Sequence, residues 1–208
     1  MLTVFQTKIQ SEVITYLEEN RHLLAPDFSS YAKERMRAWI GAEAPLTEKG
    51  EFIIAPFGYD SRLWIWLKKF CKYHLSFEPE LALLHVGGAD CGEPEENPFQ
   101  GGGGQCGIRQ HRDAGYADYL AVGINLIGEA TFGYRCEYTE QYKWTKERNN
   151  PAPLEHVKMI AGTCVKFNCK NPHFAQVGPN RWCINAWRVS EKRRADFEKF
   201  IVDKSLSI

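Results

Sequence analysis

Apolar residues in the first third of the chain recur at the spacing of an α-helix. Between Ile9 and Leu17 they return every fourth position, which places them on one face of a helix. A second helix is predicted from Ser30 to Ile40, and a third over SRLWIWLKKFCKY with Asp60 as its N-cap. We expect these helices to pack against a sheet.

After residue 80 the pattern changes to short apolar runs separated by turn residues. The runs with the character of strands are LALLHV, CGIRQH, YLAVGINL, ATFGYRCEY, VKMI, TCVKFNC, HFAQV and RWCINAW. A series of short strands is typical of a β-sandwich or barrel. The charged segment EKRRADFEKFIVDK is predicted to close the chain as a helix.

Two features of the chain have both a structural and a functional interpretation. Trp39, Trp64 and Trp66 are predicted to be core residues, with a base-stacking surface as the alternative. The stretch GGADCGEPEENPFQGGGG is rich in Gly, Pro and Glu, so we interpret it as a long surface loop. A phosphate-binding interpretation of its glycines is not favoured, because no Lys-Ser/Thr follows them.

Length and charge limit the classes of protein to consider. The chain has 208 residues, 44% hydrophobic and 25% charged, so it can bury a core as one domain. We expect a mostly helical part over 1–79, a β core over 80–190 and a C-terminal helix over 191–208. Lys plus Arg and Asp plus Glu each number 26, so no overall field favours nucleic acid or a membrane surface.

Localisation is inferred from the N-terminus, the hydropathy and the cysteines. MLTVFQTKIQSEV lacks a charged segment followed by an apolar core, and no run approaches the ~20 apolar residues of a membrane span. Seven cysteines without paired spacing favour reduced thiols over a disulfide framework. We therefore expect a cytoplasmic protein with no membrane partner.

A candidate metal site begins in the segment QHRDAGYAD. His111 and Asp113 are one residue apart, so on an extended strand end their side chains leave the same face. His173 is the best-placed third ligand, because it lies between two predicted strands. Two imidazoles and one carboxylate are the facial set used for non-haem Fe(II) and oxygen chemistry. The alternative interpretation is a polar turn without a metal.

The strand RWCINAW adds a candidate anion site. Its alternate positions, from Arg181 through Cys183 to Trp187, share a face, and a buried guanidinium there requires an anionic ligand or an acidic neighbour. Arg181 could hold the far carboxylate of a dicarboxylate co-substrate. Arg188 with Ser190 is an alternative on the opposite face, and Arg181 is the preferred candidate.

Taken together, the H-x-D segment, YLAVGINLIGEATFGYR and AGTCVKFNCKNPHFAQVGPNRWCINAW resemble the Fe(II)- and 2-oxoglutarate-dependent dioxygenases over about residues 81–190. The resemblance implies a mainly β fold with flanking helices (α+β), built on a double-stranded β-helix of the jelly-roll or cupin-like kind. It implies an iron triad of His111, Asp113 and His173, and Arg181 as the 2-oxoglutarate anchor. The cofactors and co-substrates implied are Fe(II), 2-oxoglutarate and O2.

Other positions either depart from the family pattern or extend it. Cys183 stands where the family often has a hydroxyl, two residues past the arginine. Asn125 and Tyr134 are candidates for the pocket wall, with ordinary barrel packing as the alternative. The prolyl-hydroxylase-like and AlkB-like subgroups both stay open, since the AlkB-like Asn-x-Tyr is replaced by His85 and Gly87 here.

The resemblance implies an oxidoreductase that hydroxylates or oxidatively demethylates an unidentified substrate while 2-oxoglutarate is decarboxylated to succinate. The substrate class stays open between a small molecule, a nucleic acid and a protein side chain. The aromatic and basic stretch EYTEQYKWTKERNNPAPLE could contact nucleic acid, with a solvated hairpin as the preferred interpretation. Rival hypotheses are a non-catalytic cupin-like binding module and an enzyme that has the same triad but uses another metal or no keto acid.

Overall fold

The structure is a computed structural model that describes residues 2–27, 35–45, 47, 49–87, 107–135, 154–178 and 180–205. Two predicted features lie outside these residues: nearly all of the loop rich in glycine and proline, and the aromatic and basic stretch that follows residue 136. No helix in the described part of the chain is both long and apolar enough to cross a membrane.

Three α-helices are found in the described residues: α1 (Ser11–Glu19), α2 (Arg62–Leu75) and α3 (Arg194–Asp203). The first two confirm predicted helices, and α3 follows a short 3₁₀ turn in the predicted C-terminal helix. The cap of α2 was predicted one residue too early. Ser61, not Asp60, is the N-cap, because its Oγ accepts a hydrogen bond from the backbone N–H of Trp64 at 3.1 Å.

The predicted helix from Ser30 to Ile40 is wrong for the part that the structure describes. Residues 35–40 form a strand, and that strand pairs antiparallel with the strand that begins at Leu81. The six residues RMRAWI are too few for their pattern to separate the period of a strand from that of a helix. Pairing with a neighbouring buried strand therefore decides its structure.

The larger of the two main sheets has seven strands in the order β1-β11-β8-β13-β6-β3-β2. Its strands are β1 (Leu2–Gln6), β2 (Ala25–Pro26), β3 (Arg35–Ile40), β6 (Leu81–Gly87), β8 (Ala117–Ile127), β11 (Thr163–Asn168) and β13 (Trp182–Val189). Neighbouring strands are antiparallel throughout. The central strands β6 and β13 are buried along most of their length, as expected for the middle of a covered sheet.

The smaller sheet has four strands in the order β10-β9-β12-β7. Its strands are β7 (Ile108–His111), β9 (Ala130–Arg135), β10 (Leu154–Met159) and β12 (His173–Val177). A two-stranded sheet of β4 (Ala42–Glu43) and β5 (Ile53–Ile54) lies apart from both. The eight apolar runs predicted as strands are all confirmed in position, with ends shifted by a few residues.

Aromatic side chains join the inner faces of the two larger sheets. Phe132 of β9 lies 4.9 Å, centroid to centroid, from Phe167 of β11. The chain passes from one sheet to the other between β8 and β9, where Gly128 adopts a φ of 72° that other residues rarely take. Trp39 and Trp64 are buried, which confirms the core interpretation for both. The fold is thus mainly antiparallel β with flanking helices.

Candidate metal centre and its two cavities

The structure brings His111, Asp113 and His173 together at one point. One ligand atom from each side chain lies within 4.8 Å of the others. Asp113 Oδ1 lies 3.5 Å from Nε2 of His111 and 3.4 Å from Nε2 of His173. Two imidazole nitrogens and one carboxylate oxygen that point at a common centre are a donor set suited to a divalent transition metal.

Strand pairing explains how residues far apart in sequence come to share this centre. His111 ends β7 and His173 begins β12, and the two residues are register partners in the antiparallel pair. Their rings lie 4.3 Å apart, centroid to centroid. Asp113 follows β7 by two residues, and its backbone N–H is held by the carbonyl oxygen of Cys169 at 3.0 Å. The smaller sheet and its adjoining turn therefore supply all three side chains.

The ring of His173 is fixed in the orientation that a metal ligand needs. Its Nδ1 lies 2.9 Å from the backbone carbonyl oxygen of Asn171. A carbonyl oxygen only accepts, so Nδ1 carries the proton and donates, and Nε2 is the ring nitrogen that faces Asp113. Asn171 is itself held, because its Nδ2 donates to the hydroxyl of Tyr134 and to the carbonyl oxygen of Arg135.

The carboxylate of Asp113 is held at both oxygens. While Oδ1 faces the histidines, Oδ2 accepts a hydrogen bond of 2.6 Å from the indole Nε1 of Trp187. Burial acts to raise the pKa of Asp113, but the charges and hydrogen bonds of His173 and His111 outweigh it and hold the pKa well below its usual range. The group is therefore an anion near neutral pH, as a ligand must be.

A narrow inner cavity of about 50 Å³ connects this centre with Arg181. The Arg181 side chain is buried, and its Nε donates to Oδ1 of Asn125 at 2.5 Å. Nη2 lies 4.0 Å from the sulfur of Met159. In the part of the chain that the structure describes, no carboxylate forms an ion pair with Arg181. The alternative candidate, Arg188, is exposed on the other face of the same strand.

The remaining predicted pocket residues have different surroundings. Cys183 lines the inner cavity and is the register partner of both His85 and Asn125. Asn125 is buried and contacts Arg181 directly, while its Nδ2 donates to the carbonyl oxygen of Gly128 at 2.7 Å. Tyr134 is fully buried and supports Asn171, so its contact with the metal centre passes through that residue. A role for any of these residues in co-substrate binding stays a prediction.

Sequence reasoning missed two residues that hold the ligands. Trp187 was placed on the correct strand face, but its bond to Asp113 joins residues 74 positions apart. Asn171 precedes His173 by two residues, and an Asn-Pro-His segment is a turn signal that gives no indication of a bond to the ring. The fold brings Trp187 to Asp113, and the local turn brings the carbonyl oxygen of Asn171 to His173.

A wider cleft of about 480 Å³ shares His111 and Asp113 with the inner cavity but does not reach Arg181. Its walls come from β3, β6, β13 and the turn after β7. The metal centre thus lies where a narrow cavity and an open cleft meet. A small ligand that binds in the inner cavity and a second ligand in the cleft would both contact the metal position.

Fold and site together define a mainly antiparallel β protein with a candidate His–Asp–His metal centre. No protein-family model and no curated protein matches the chain. Several solved structures are similar to the chain. A Pseudomonas putida prolyl-4-hydroxylase is similar with a TM-score of 0.53 and 10% identity, over 91% of this chain and 92% of its own.

Two further solved structures are similar over most of the chain. A Trichoplax adhaerens prolyl hydroxylase, in complex with a peptide fragment of the hypoxia inducible factor oxygen degradation domain, has a TM-score of 0.51 and 15% identity over 93% of this chain and 86% of its own. A non-heme α-ketoglutarate-dependent carbocyclase from nogalamycin biosynthesis has a TM-score of 0.57 and 10% identity, over 91% of this chain and 79% of its own. The fold of this chain is therefore similar to the folds of these three proteins.

Proposed function

We propose that the protein is an Fe(II)- and 2-oxoglutarate-dependent oxygenase that hydroxylates or oxidatively demethylates its substrate. One observation carries the proposal: a buried guanidinium, without a carboxylate partner among the described residues, opens into the same cavity as the His–Asp–His centre. A buried cation without an anion is costly, so the cavity is suited to an anionic ligand that reaches from Arg181 to the metal.

The residues present fit an iron site. His111, Asp113 and His173 would hold Fe(II) through two imidazole nitrogens and one carboxylate oxygen. Two of the three ligands have a supporting contact, since Asn171 fixes the ring of His173 and Trp187 fixes the carboxylate of Asp113. Such second contacts are a regular feature of metal sites and set the orientation of the ligands.

The chain's own contribution is to bind, orient and exclude water. Arg181 would hold the far carboxylate of 2-oxoglutarate, with Asn125 fixing the guanidinium from the side. Phe132, Phe167 and Phe174 give the inner cavity apolar walls, which limit water beside the metal position. When bound, Fe(II) with 2-oxoglutarate and O2 supplies the oxidising power, and 2-oxoglutarate leaves as succinate and CO2.

The finer parts of the proposal concern topology and extent. We assign the two facing sheets to a double-stranded β-helix of the jelly-roll kind, which the strand orders and the similar structures support. Residues 1–208 are proposed to form one dioxygenase domain. The choice between the prolyl-hydroxylase-like and AlkB-like subgroups stays open, although the similar structures include two prolyl hydroxylases.

The test is an anaerobic titration of the metal-free protein with Fe(II) and 2-oxoglutarate. We expect the weak visible charge-transfer band of a keto acid chelated to iron, and a weaker band at the same 2-oxoglutarate concentration in Arg181→Ala. Arg188→Ala is the matched control, because Arg188 lies on the same strand but is exposed.

Each hypothesis predicts a different result. A protein that binds Fe(II) but gives no band is not a 2-oxoglutarate oxygenase. Binding of Fe(II) with equal bands in the wild type and Arg181→Ala removes Arg181 from the co-substrate site. A protein that binds neither iron nor 2-oxoglutarate is the non-catalytic binding module.

A further inference from the structure

The wider cleft has the dimensions of a small-molecule site. Its volume of about 480 Å³ lies within the range of about 300–1,000 Å³ that is usual for ligand pockets. Because it shares His111 and Asp113 with the inner cavity, a ligand in it lies next to the metal position. The cleft is therefore where the substrate of the proposed oxygenase would bind.

One face of three neighbouring strands forms the floor of this cleft. Alternate residues of β3, β6 and β13 point into it, as the period of two in a strand requires. These residues are Arg35, Arg37, Trp39, Leu83, His85, Asn185 and Trp187. In the sheet register, Arg37 is opposite His85 and Trp39 is opposite Leu83, so a basic row lies beside an apolar and aromatic row.

Two polar atoms in the floor have no hydrogen-bond partner among the described residues. They are Nε1 of Trp39 and Nδ1 of His85. The two side chains are only 4% and 6% exposed, so water does not readily satisfy them. An indole N–H can only donate, so the atom that satisfies Trp39 must be an acceptor. Trp39 therefore carries a buried donor without an acceptor among the described residues, in a side chain that lines the cleft.

The charge of the floor points to the same kind of ligand. Arg35 donates twice to Oδ2 of Asp27, at 2.9 and 2.6 Å, whereas Nε of Arg37 lies 3.7 Å from Oδ1 of the same carboxylate. One buried carboxylate therefore serves two guanidinium groups. Burial, reinforced by Arg35, Arg181 and Arg37, holds the pKa of His85 well below its usual range, so its ring is neutral and adds no charge.

We infer that the cleft selects a small organic acid, whose acidic group is bound by Arg37 and by the indole N–H of Trp39. The inference rests on the proposed function and names the substrate class of that same site. Leu83, Tyr116 and Trp187 line the cleft beyond these donors and suit an apolar or aromatic body attached to the acid. A carboxylate and a phosphate share this chemistry, and the test below distinguishes them.

The experiment measures binding by calorimetry to the metal-free full chain, so that no acid can bind directly to a metal. The probes are acid and amide pairs of increasing size: acetate and acetamide, 3-phenylpropionate and 3-phenylpropionamide, and 1-naphthylacetate and 1-naphthylacetamide. Phenyl phosphate is the phosphate probe. We expect at least one acid to bind about tenfold or more tightly than its amide, as for a hydrogen bond to a charged group.

Variants locate the binding to the cleft. Trp39→Phe keeps a ring against Tyr116 and Trp187 but loses the N–H, and we expect about tenfold weaker binding of the acid and a smaller loss for the amide, whose carbonyl oxygen is a neutral acceptor. Arg37→Gln should also weaken binding of the acid. If that variant does not fold, Trp39→Phe still tests the inference. Arg181→Ala reports any acid that binds in the inner cavity, and Arg188→Ala, at an exposed residue of the same strand, is the control that should leave the acid affinity unchanged.

Several outcomes would overturn the inference. They are equal binding of acid and amide in every pair, no binding of any acid, and loss of acid binding in Arg181→Ala but not in Trp39→Phe. A peptide or single-stranded oligonucleotide that binds in a manner dependent on Trp39, when no small acid does, overturns it in favour of a macromolecular substrate. Stronger binding of phenyl phosphate than of any carboxylate identifies the acidic group as a phosphate.

The same preparations separate this inference from the proposed function. If the Fe(II) and 2-oxoglutarate band forms but acids and amides bind alike, the oxygenase assignment stands and the substrate class is wrong. If acids bind selectively and the band is absent, the cleft is an acid site in a protein that is not a 2-oxoglutarate oxygenase.

Discussion

Replacement of Trp187 by Phe is expected to lower metal affinity without any change to a ligand. The indole Nε1 donates at 2.6 Å to Oδ2 of Asp113, and the indole is 3% exposed. Phe keeps an aromatic ring against Trp39 and Tyr116 but removes the donor. The freed carboxylate can then turn away from the histidines in the metal-free protein, and it must be turned back when the metal binds.

The expected size of the effect follows from the bond that is lost. A hydrogen bond to a charged group contributes about 1.5–3 kcal/mol, and 1.4 kcal/mol corresponds to a factor of ten in affinity. If the whole contribution is needed to orient the carboxylate, the metal dissociation constant rises by about 10- to 100-fold. That range agrees with the usual effect of removing a partner that supports a metal ligand.

The assay is a titration of the metal-free protein with Mn(II), in which the electron paramagnetic resonance signal reports the free ion. Trp39→Phe is the matched control, because it removes the same atoms from a neighbouring tryptophan whose Nε1 has no partner among the described residues. Its Mn(II) affinity should equal that of the wild type. Unchanged Mn(II) affinity in Trp187→Phe, with a folded protein, would show that the histidines alone orient the carboxylate and would refute the reasoning.

Three further predictions test the metal centre, the packing between strands and the buried thiols. Mn(II) at 100 times its dissociation constant should raise the free energy of unfolding of the wild type, measured with urea, by about 2.7 kcal/mol. The increase should be far smaller in His111→Ala, which lacks a ligand, and should be the full amount in the control His156→Ala. Gly133→Ala should destabilise by about 1–3 kcal/mol, because a Cβ there would lie 2.1 Å from the Phe174 ring, whereas Gly115→Ala meets nothing within 4 Å and should be near neutral. Burial raises the pKa of Cys164 from 9.0 to about 12, so the folded thiol stays protonated over a pH range in which the unfolded thiol ionises. The free energy of unfolding should therefore fall between about pH 9 and 12, and it should fall less steeply in Cys164→Ala.

The eight strands after residue 80 and the helices α1 and α2 could be predicted from local pattern, whereas β1 to β5 lie in the part expected to be mostly helical. The segment at 35–40 could not, since six residues satisfy either period and the pairing with β6 decides between them. The candidate ligands were found from chemistry: a His and an Asp with strand spacing, and a second His between two strands. Trp187 could not be predicted as a support, because nothing local marks a contact between residues 74 positions apart, and Asn171 could not, because its sequence does not show that its carbonyl oxygen faces the ring of His173.

The register of β13 shows how much of the site depends on one strand. Its alternate residues Arg181, Cys183, Asn185 and Trp187 line the inner cavity, the cleft or both, while the residues between them face the other way. A slip of one position would turn Arg181 and Trp187 outward together and bring Arg188 inward. The anion site and the support of Asp113 would then be lost in a single step.

The protein fixes that register at the end of the strand nearest Glu80. The backbone N–H of Glu80 donates to the carbonyl oxygen of Trp187 at 2.9 Å, and the Glu80 carboxylate accepts from the backbone N–H of Val189 at 2.7 Å. Arg194 at the start of α3 donates to the same carboxylate, so the C-terminal helix is tied to the strand as well. Residues that touch neither cavity thus determine which side chains enter them, and for that reason a change at Glu80 should affect the metal centre and the cleft together.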